Sequence, residues 1–317
     1  MRFIDQVIRS RGFFLRRRDL LALGYSDNQL RRELGAGRIF RVRQGWYSVP
    51  GAPPAGVLAV RVGGRLTGIS ALQDMGLRVP NQTHLDVAVV PTASRLRRVT
   101  DRRARLLSGD LVTVRWSGTG RGGTPWRVSI AEALLAVLET QPRDIAVACC
   151  SAALRHRQIT SGALADVFAA APARVRAWAR LPSALDDSHG ETFVRLWLMD
   201  AGVPFEQQAY VPDVGHLDFR VSPNSYVEVD GAQHDPRWTG DSPSSWEPDH
   251  DRDTTVAIRG GRVQRFTYRQ LYADWPRVLA AIERAVADDV ALTAARRRRP
   301  YRPVNRKRRT ISPNAGQ

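Results

Sequence analysis

Hydrophobic positions change their spacing several times along the chain, and each change marks an element. Residues 18–23 carry a short helical pattern that Gly24 stops. Ser26 follows as an N-cap, and Gln29 completes a capping box, so residues 27–34 read as a second helix. Its Leu30 and Leu34 face inward, its Asn28, Arg31 and Arg32 face outward, and Gly35 and Gly37 end it. Residues 39–43 and 46–49 read as two short strands joined by the turn Gln44-Gly45. A Pro/Gly/Ala stretch at 51–56 reads as a linker. Beyond it, 84–90 and 111–116 look like strands, and 130–139, 145–157, 161–170 and 174–179 look like helices. From Asp186 the order is a helix (188–201), a strand (205–211), two strands of alternating polar and apolar residues around His216–Arg220 and Tyr226–Asp230, a helix (249–259), a strand (263–267) and a last helix (269–287).

The first fifty residues give helix, turn, helix, then a two-stranded wing. This is the winged helix-turn-helix order, whose second helix enters the major groove of DNA. Asn28, Arg31 and Arg32 on that helix, with Arg41 and Arg43 on the wing, are the expected DNA contacts. Leu20-Leu21-Ala22-Leu23-Gly24-Tyr25-Ser26 and Gly37-Arg38-Ile39-Phe40-Arg41-Val42-Arg43-Gln44-Gly45-Trp46-Tyr47 resemble the amino-terminal domain of the abortive-infection type IV antitoxin family. That resemblance implies sequence-specific DNA binding, autoregulation and a toxin partner.

Composition agrees with a nucleic-acid partner. The 317 residues carry a formal charge of +17, nearly all of it from arginine, with Lys307 the sole lysine. Such an excess attracts polyanions. The segment 294–317 is Arg-rich, broken by Pro, and reads as a disordered basic tail. No apolar run approaches the roughly 20 residues needed to span a bilayer, and the amino terminus lacks a signal-peptide core. The two cysteines, Cys149 and Cys150, are adjacent in an apolar helical stretch and read as buried thiols. Together these features predict a cytoplasmic, nucleoid-associated protein and exclude a membrane one.

The candidate chemistry lies near the carboxyl end. Side chains two apart on a strand share a face, so Glu228 and Asp230 point one way, with Val227 and Val229 opposite. On the preceding strand Asp218 shares a face with His216 and Arg220. A hairpin closed at Ser222-Pro223-Asn224-Ser225 sets Asp218 across from Glu228. Carboxylates at that range repel unless a cation joins them, and hard oxygen ligands suit Mg²⁺ or Mn²⁺.

Glu191, Leu196-Trp197, Gly202, Phe205, Gln208, Asp218-Phe219, Val227-Glu228-Val229-Asp230-Gly231, Gln233-His234, Asp251-Arg252 and Val263 through Arg265-Phe266 occur in one order over residues 186–287. They resemble the very-short-patch-repair-like branch of the PD-(D/E)XK nuclease superfamily. The resemblance implies that Asp218 and Glu228 bind the metal, that Glu191 supports it, that Asp230 or His234 serves the water, and that Gln208 and Arg252 lie near the phosphate. Where the superfamily carries a lysine two residues after the glutamate, this chain has Asp230, as the resembled branch also lacks that lysine.

The expected fold is therefore α+β and multi-domain. Residues 1–50 form a winged helix-turn-helix, 57–180 an α/β middle domain of unassigned role, and 186–287 a PD-(D/E)XK-like α/β domain, before the basic tail. Two functions stay open. One is a Mg²⁺- or Mn²⁺-dependent DNA endonuclease directed by the winged helix, in repair or phage defence. The other is a non-catalytic DNA-binding regulator or antitoxin. Oligomeric state is not legible in the sequence.

Overall fold

The computed structural model describes residues 3–117, 122–230 and 246–298. The chain divides into two compact units, Met1–Ala201 and Gly202–Gln317.

The first unit opens with α1 (Ile4–Ser10), β1 (Phe14–Arg16), α2 (Arg17–Ala22), α3 (Asp27–Gly35), β2 (Phe40–Arg43) and β3 (Trp46–Ser48). The Ser26 hydroxyl accepts from the Gln29 amide at 3.3 Å, and the Gln29 side chain accepts from the Ser26 amide at 2.7 Å. This capping box satisfies two amides that the first turn of α3 would leave without partners. β2 and β3 pair antiparallel around Gln44-Gly45, where Gly45 takes φ +74°. β1 adds to the other side of β3, giving the order β1-β3-β2. Ile8, Leu20, Leu30, Ile39 and Val49 form the small core beneath the helices.

Next come α4 (Pro54–Val62), β4 (Arg65–Leu66), α5 (Gly68–Asp74), β5 (Leu85–Val89), β6 (Val112–Trp116), α6 (Ile130–Thr140), α7 (Arg143–Arg155), α8 (Ser161–Ala170), α9 (Ala173–Arg176) and α10 (His189–Asp200). β4 runs antiparallel to β5, and β5 runs parallel to β6. Of the stretch read as a linker at 51–56, residues 51–53 precede any helix while 54–56 open α4, with Pro54 in its first turn. Proline is tolerated there because the first amides of a helix have no partner within it. Gly56 is buried, and the position requires glycine because a Cβ there would meet the Trp126 ring at 2.7 Å and Phe14 at 3.1 Å. Phe14 and Val42 of the winged segment instead pack into the separate, larger core of the following helices, which joins the two layers.

Cys149 and Cys150 lie at zero exposure in α7, free of any disulfide. Burial pushes both thiols up, Cys150 to about 12. α10 packs on α7, and Trp197 donates its indole N–H to Asp144 at 2.8 Å. At the base of α10, Asp186 accepts from Arg195 Nε at 2.9 Å, Arg195 Nη2 at 2.8 Å and the Thr192 hydroxyl at 2.8 Å, all buried.

The second unit holds β7 (Glu206–Val211), β8 (Gly215–Ser222), β9 (Ser225–Asp230), α11 (Trp246–Ile258), β10 (Arg262–Thr267), α12 (Tyr268–Ala273) and α13 (Trp275–Arg298). Its sheet has the order β10-β9-β8-β7. β7, β8 and β9 form an antiparallel meander, and α11 returns the chain so that β10 lies parallel to β9. Ala209, Val211, Leu217, Tyr226 and Val256 cluster in one core, while α13 contacts β8 and β9. The hairpin turn is anchored by Asp289 of α13, which accepts from the Ser222 hydroxyl at 2.5 Å and the Asn224 amide at 2.7 Å. α13 thus continues beyond the helix end expected at residue 287 and into the first residues of the expected tail; residues 299–317 lie outside the described residues. No helix among the described residues is long and apolar enough to cross a membrane.

Candidate nucleic-acid interface and carboxylate cluster

Two places hold the residues singled out by the sequence, one in each unit. In the first, α3 exposes Asn28, Arg31 and Arg32, while Leu30 at 1% exposure anchors the helix from behind. Arg17 at the start of α2 pairs with Asp27, the first residue of α3, which joins the two helices at their ends. Glu33 pairs with Arg38, which stays exposed with its charge partly neutralised beside the helix.

On the wing, Arg41 is exposed and lies over the Tyr47 ring, 5.7 Å from its centroid. Arg43 is half-buried and donates to the Arg95 carbonyl at 2.6 Å. Burial lowers its pKa, and the nearby Arg97 lowers it further. Arg43 therefore differs from the other four expected contacts, because the loop after β5 holds its guanidinium.

In the second unit, the β8–β9 register runs Arg220↔Tyr226 and Phe219↔Val227, which carried one step further sets Asp218 level with Glu228. The backbone pairing stops there, and Asp218 Oδ2 instead accepts the Val229 amide at 2.8 Å. Glu228 is 7% exposed, and its Oε2 has no hydrogen bond. Burial raises its pKa to about 7; Arg265 opposes that rise and Asp218 adds to it.

The parallel partner strand puts Arg265 directly beside Glu228. Arg265 Nη2 stands 2.8 Å from Glu228 Oε2, but its N–H groups are aimed at Asp253, with contacts of 2.9 and 3.3 Å. Burial works against the Arg265 charge, yet Asp253 and Glu228 more than offset it, so its pKa is raised. Asp230 lies 3.8 Å from the same guanidinium. Arg252 donates to the Val214 and His216 carbonyls at 3.2 and 2.9 Å and lies 3.7 Å from Glu228. It is held by the sheet rather than extended to solvent.

Gln208 falls between the pairs Gln207↔Phe219 and Ala209↔Leu217, level with Asp218, and takes φ +52°. A non-glycine residue held there costs on the order of 1 kcal/mol, and such strain tends to gather at functional sites. The His216 ring meets the Gln208 carbonyl at 2.8 Å. Glu191 belongs to α10 of the first unit, where it is 4% exposed and accepts the Asp187 amide at 3.0 Å. His234 and Gln233 lie outside the described residues.

Sequence reasoning missed Arg265 and Asp253 as members of this cluster. Parallel pairing across an intervening helix has no local signal, so the position of Arg265 opposite Glu228 was not readable. Among the described residues, no group of three or more His, Cys, Asp or Glu side chains is placed to hold a metal ion. The Oε2 of Glu228, ion-paired to Arg265 but without a hydrogen bond, and the carboxylate of Asp218 are nonetheless hard-oxygen donors that a divalent cation suits. Arg265 supplies positive charge at the same place.

The helix pair, the three-stranded wing and the exposed face of α3 place the amino-terminal segment among winged-helix DNA-binding folds. Residues 2–50 match the family model described as transcriptional regulator, AbiEi antitoxin. No curated protein matches the chain.

Proposed function

We propose that this chain is a DNA-binding transcriptional regulator of the antitoxin kind, which reads a duplex with α3 and steadies it with the wing. The observation that carries this reading is the coincidence of the family match over residues 2–50 with an exposed helix bearing Asn28, Arg31 and Arg32. The basic charge of the whole chain supplies sequence-independent attraction, and base contacts from α3 supply discrimination. A cognate toxin is the expected protein partner. The test is binding of the full chain to DNA upstream of its own reading frame and to unrelated duplex of equal length. Arg31→Ala should weaken the preferred site by about 1–3 kcal/mol and relax its preference. Equal affinity for every duplex tried would refute a regulator.

A second reading is favoured by the Asp218–Glu228 pair and by the order β7, β8, β9, α11, β10 within the second unit. We propose it as a PD-(D/E)XK-like nuclease domain in which Asp218 and Glu228 would hold Mg²⁺ or Mn²⁺, with Asp230 as the remaining proposed member among the described residues of the second unit. The metal would supply Lewis acidity at the scissile phosphate and a more acidic bound water. Asp218 is oriented by the Val229 amide, and Arg265 and Arg252 hold positive charge beside Glu228. Supercoiled plasmid incubated with Mg²⁺ or Mn²⁺ should be nicked by the wild type and left intact by Glu228→Ala. Equal nicking by both proteins removes Glu228 from the chemistry.

A further inference from the structure

Four arginines converge beside the wing without an acid among them. Arg43, Gln44, Arg95, Arg97 and Arg102 line a pocket of about 170 Å³, well above the roughly 10–15 Å³ that a single water needs. Two chain segments build it. The end of β2 brings Arg43 and the turn after it brings Gln44. The loop after β5 brings the other three, and it is tied down by its own backbone.

That loop is a framed structure. The Arg97 amide donates to the Val62 carbonyl at 3.0 Å, Arg98 to Ala104 at 3.2 Å and Leu106 to Leu96 at 3.2 Å. Arg102 Nη1 reaches back to the Arg41 carbonyl at 2.7 Å, and Arg43 Nη2 reaches forward to the Arg95 carbonyl at 2.6 Å. The two segments thus hold each other through reciprocal guanidinium-to-carbonyl bonds. Gly63, at φ +125°, leaves space for Arg43, since a Cβ there would collide with its Nη1.

Charge pairing separates these arginines from their neighbours. Arg98 in the same loop is neutralised by Asp110 at 2.7 Å, and Asp101 turns its carboxylate to the Arg103 amide at 2.8 Å. Among the described residues, Arg43, Arg95, Arg97 and Arg102 form no ion pair. A guanidinium has five N–H donors, and the bonds to carbonyls use only a small part of them. Like charges gathered in one concavity repel, and Arg43 loses hydration there as well. An anion with several acceptor oxygens relieves both costs, and planar guanidinium forks match phosphate oxygens in geometry.

We propose that Arg43, Arg95, Arg97 and Arg102, with Gln44, form a phosphate-binding site that takes a backbone phosphate of the duplex gripped by the wing. The source of the phosphate rests on the DNA-binding reading; the site itself does not. A contact of this kind fixes register on the duplex without reading sequence.

The experiment uses the full chain, its Arg97→Ala, Arg102→Ala and double variants, and two probes. Calorimetric titration with sodium pyrophosphate should show one-to-one binding by the wild type and at least tenfold weaker binding by the double variant. Duplex binding over a salt series should show each single variant lowering the slope of log K against log salt by about 1, with the order of preferred sequences unchanged. Matching melting temperatures confirm that the variants fold. Loss of pyrophosphate binding with an unchanged DNA slope would take the site off the DNA path and assign it to a free phosphorylated ligand, overturning the backbone source. Unchanged pyrophosphate binding and unchanged slopes in the folded double variant would overturn the site. A wild type that binds pyrophosphate and no DNA at all would defeat the regulator reading while leaving the phosphate site standing.

Discussion

Replacing Glu228 by glutamine should change how stability responds to pH, and the direction follows from the surroundings of the carboxylate. Glu228 is 7% exposed, and its pKa stands at about 7 instead of near 4.5. Between those values the folded protein holds a proton that the unfolded chain releases. Stability therefore falls as pH rises through this window and becomes flat with respect to this group above about 7. Each unit of difference is worth about 1.36 kcal/mol, so the whole window amounts to about 3 kcal/mol before discounting for the partial screening of the group. Glutamine keeps the shape and cannot ionise. Denaturant unfolding of wild type and Glu228→Gln at pH 5, 6, 7 and 8 should show the variant gaining on the wild type by about 2–3 kcal/mol from pH 5 to pH 8. Parallel profiles for the two proteins would refute the reasoning. They would mean that the Arg265 guanidinium, 2.8 Å away, outweighs burial and keeps Glu228 ionised throughout.

Three other outcomes follow from packing. Asp186→Ala strands Arg195, whose side chain is 8% exposed, and should cost about 3–5 kcal/mol in denaturant melts of the first unit. Ser26→Ala removes the hydroxyl that caps α3 and should lower stability by about 1 kcal/mol, read as a lower melting temperature. Gly63→Ala must hold φ at +125° and displace the Arg43 guanidinium, so its melting temperature should fall further than that of Gly76→Ala, where φ is +80° and a Cβ meets nothing.

What could be read from the sequence was whatever rests on neighbouring residues. The capping box at Ser26 and Gln29, the hairpin at Gln44-Gly45 and the alternation through His216–Arg220 each carry their own local signal, and each element forms close to where it was expected. The hairpin at residues 222–225 was local too, but the turn register Ser222↔Ser225 would set Asp218 opposite Val229; a one-residue shift between Arg220 and Ser222 brings it level with Glu228. Elements decided by distant contacts were not visible. The Pro/Gly/Ala composition of 51–56 reads as a linker, yet its last three residues open α4, and the distant rings of Trp126 and Phe14 explain why Gly56 is needed there. β1 is three residues long and exists as a strand through its pairing with β3. Arg43 looked like its neighbour Arg41, yet the carbonyl of Arg95 sets it apart. Arg265 and Asp253 entered the carboxylate cluster through parallel strand pairing, which no turn announces.

The adjacent thiols in α7 give the first unit a built-in gauge of its own opening. A small disulfide reagent reaches Cys149 and Cys150 only when the helical layer around them comes apart. The rate of modification under native conditions then reports the free energy of that event, residue-specifically and without spectroscopic labels. The same burial leaves the native background silent, so a cysteine introduced on the exposed side of α3 would react alone and report whether added duplex DNA shields it.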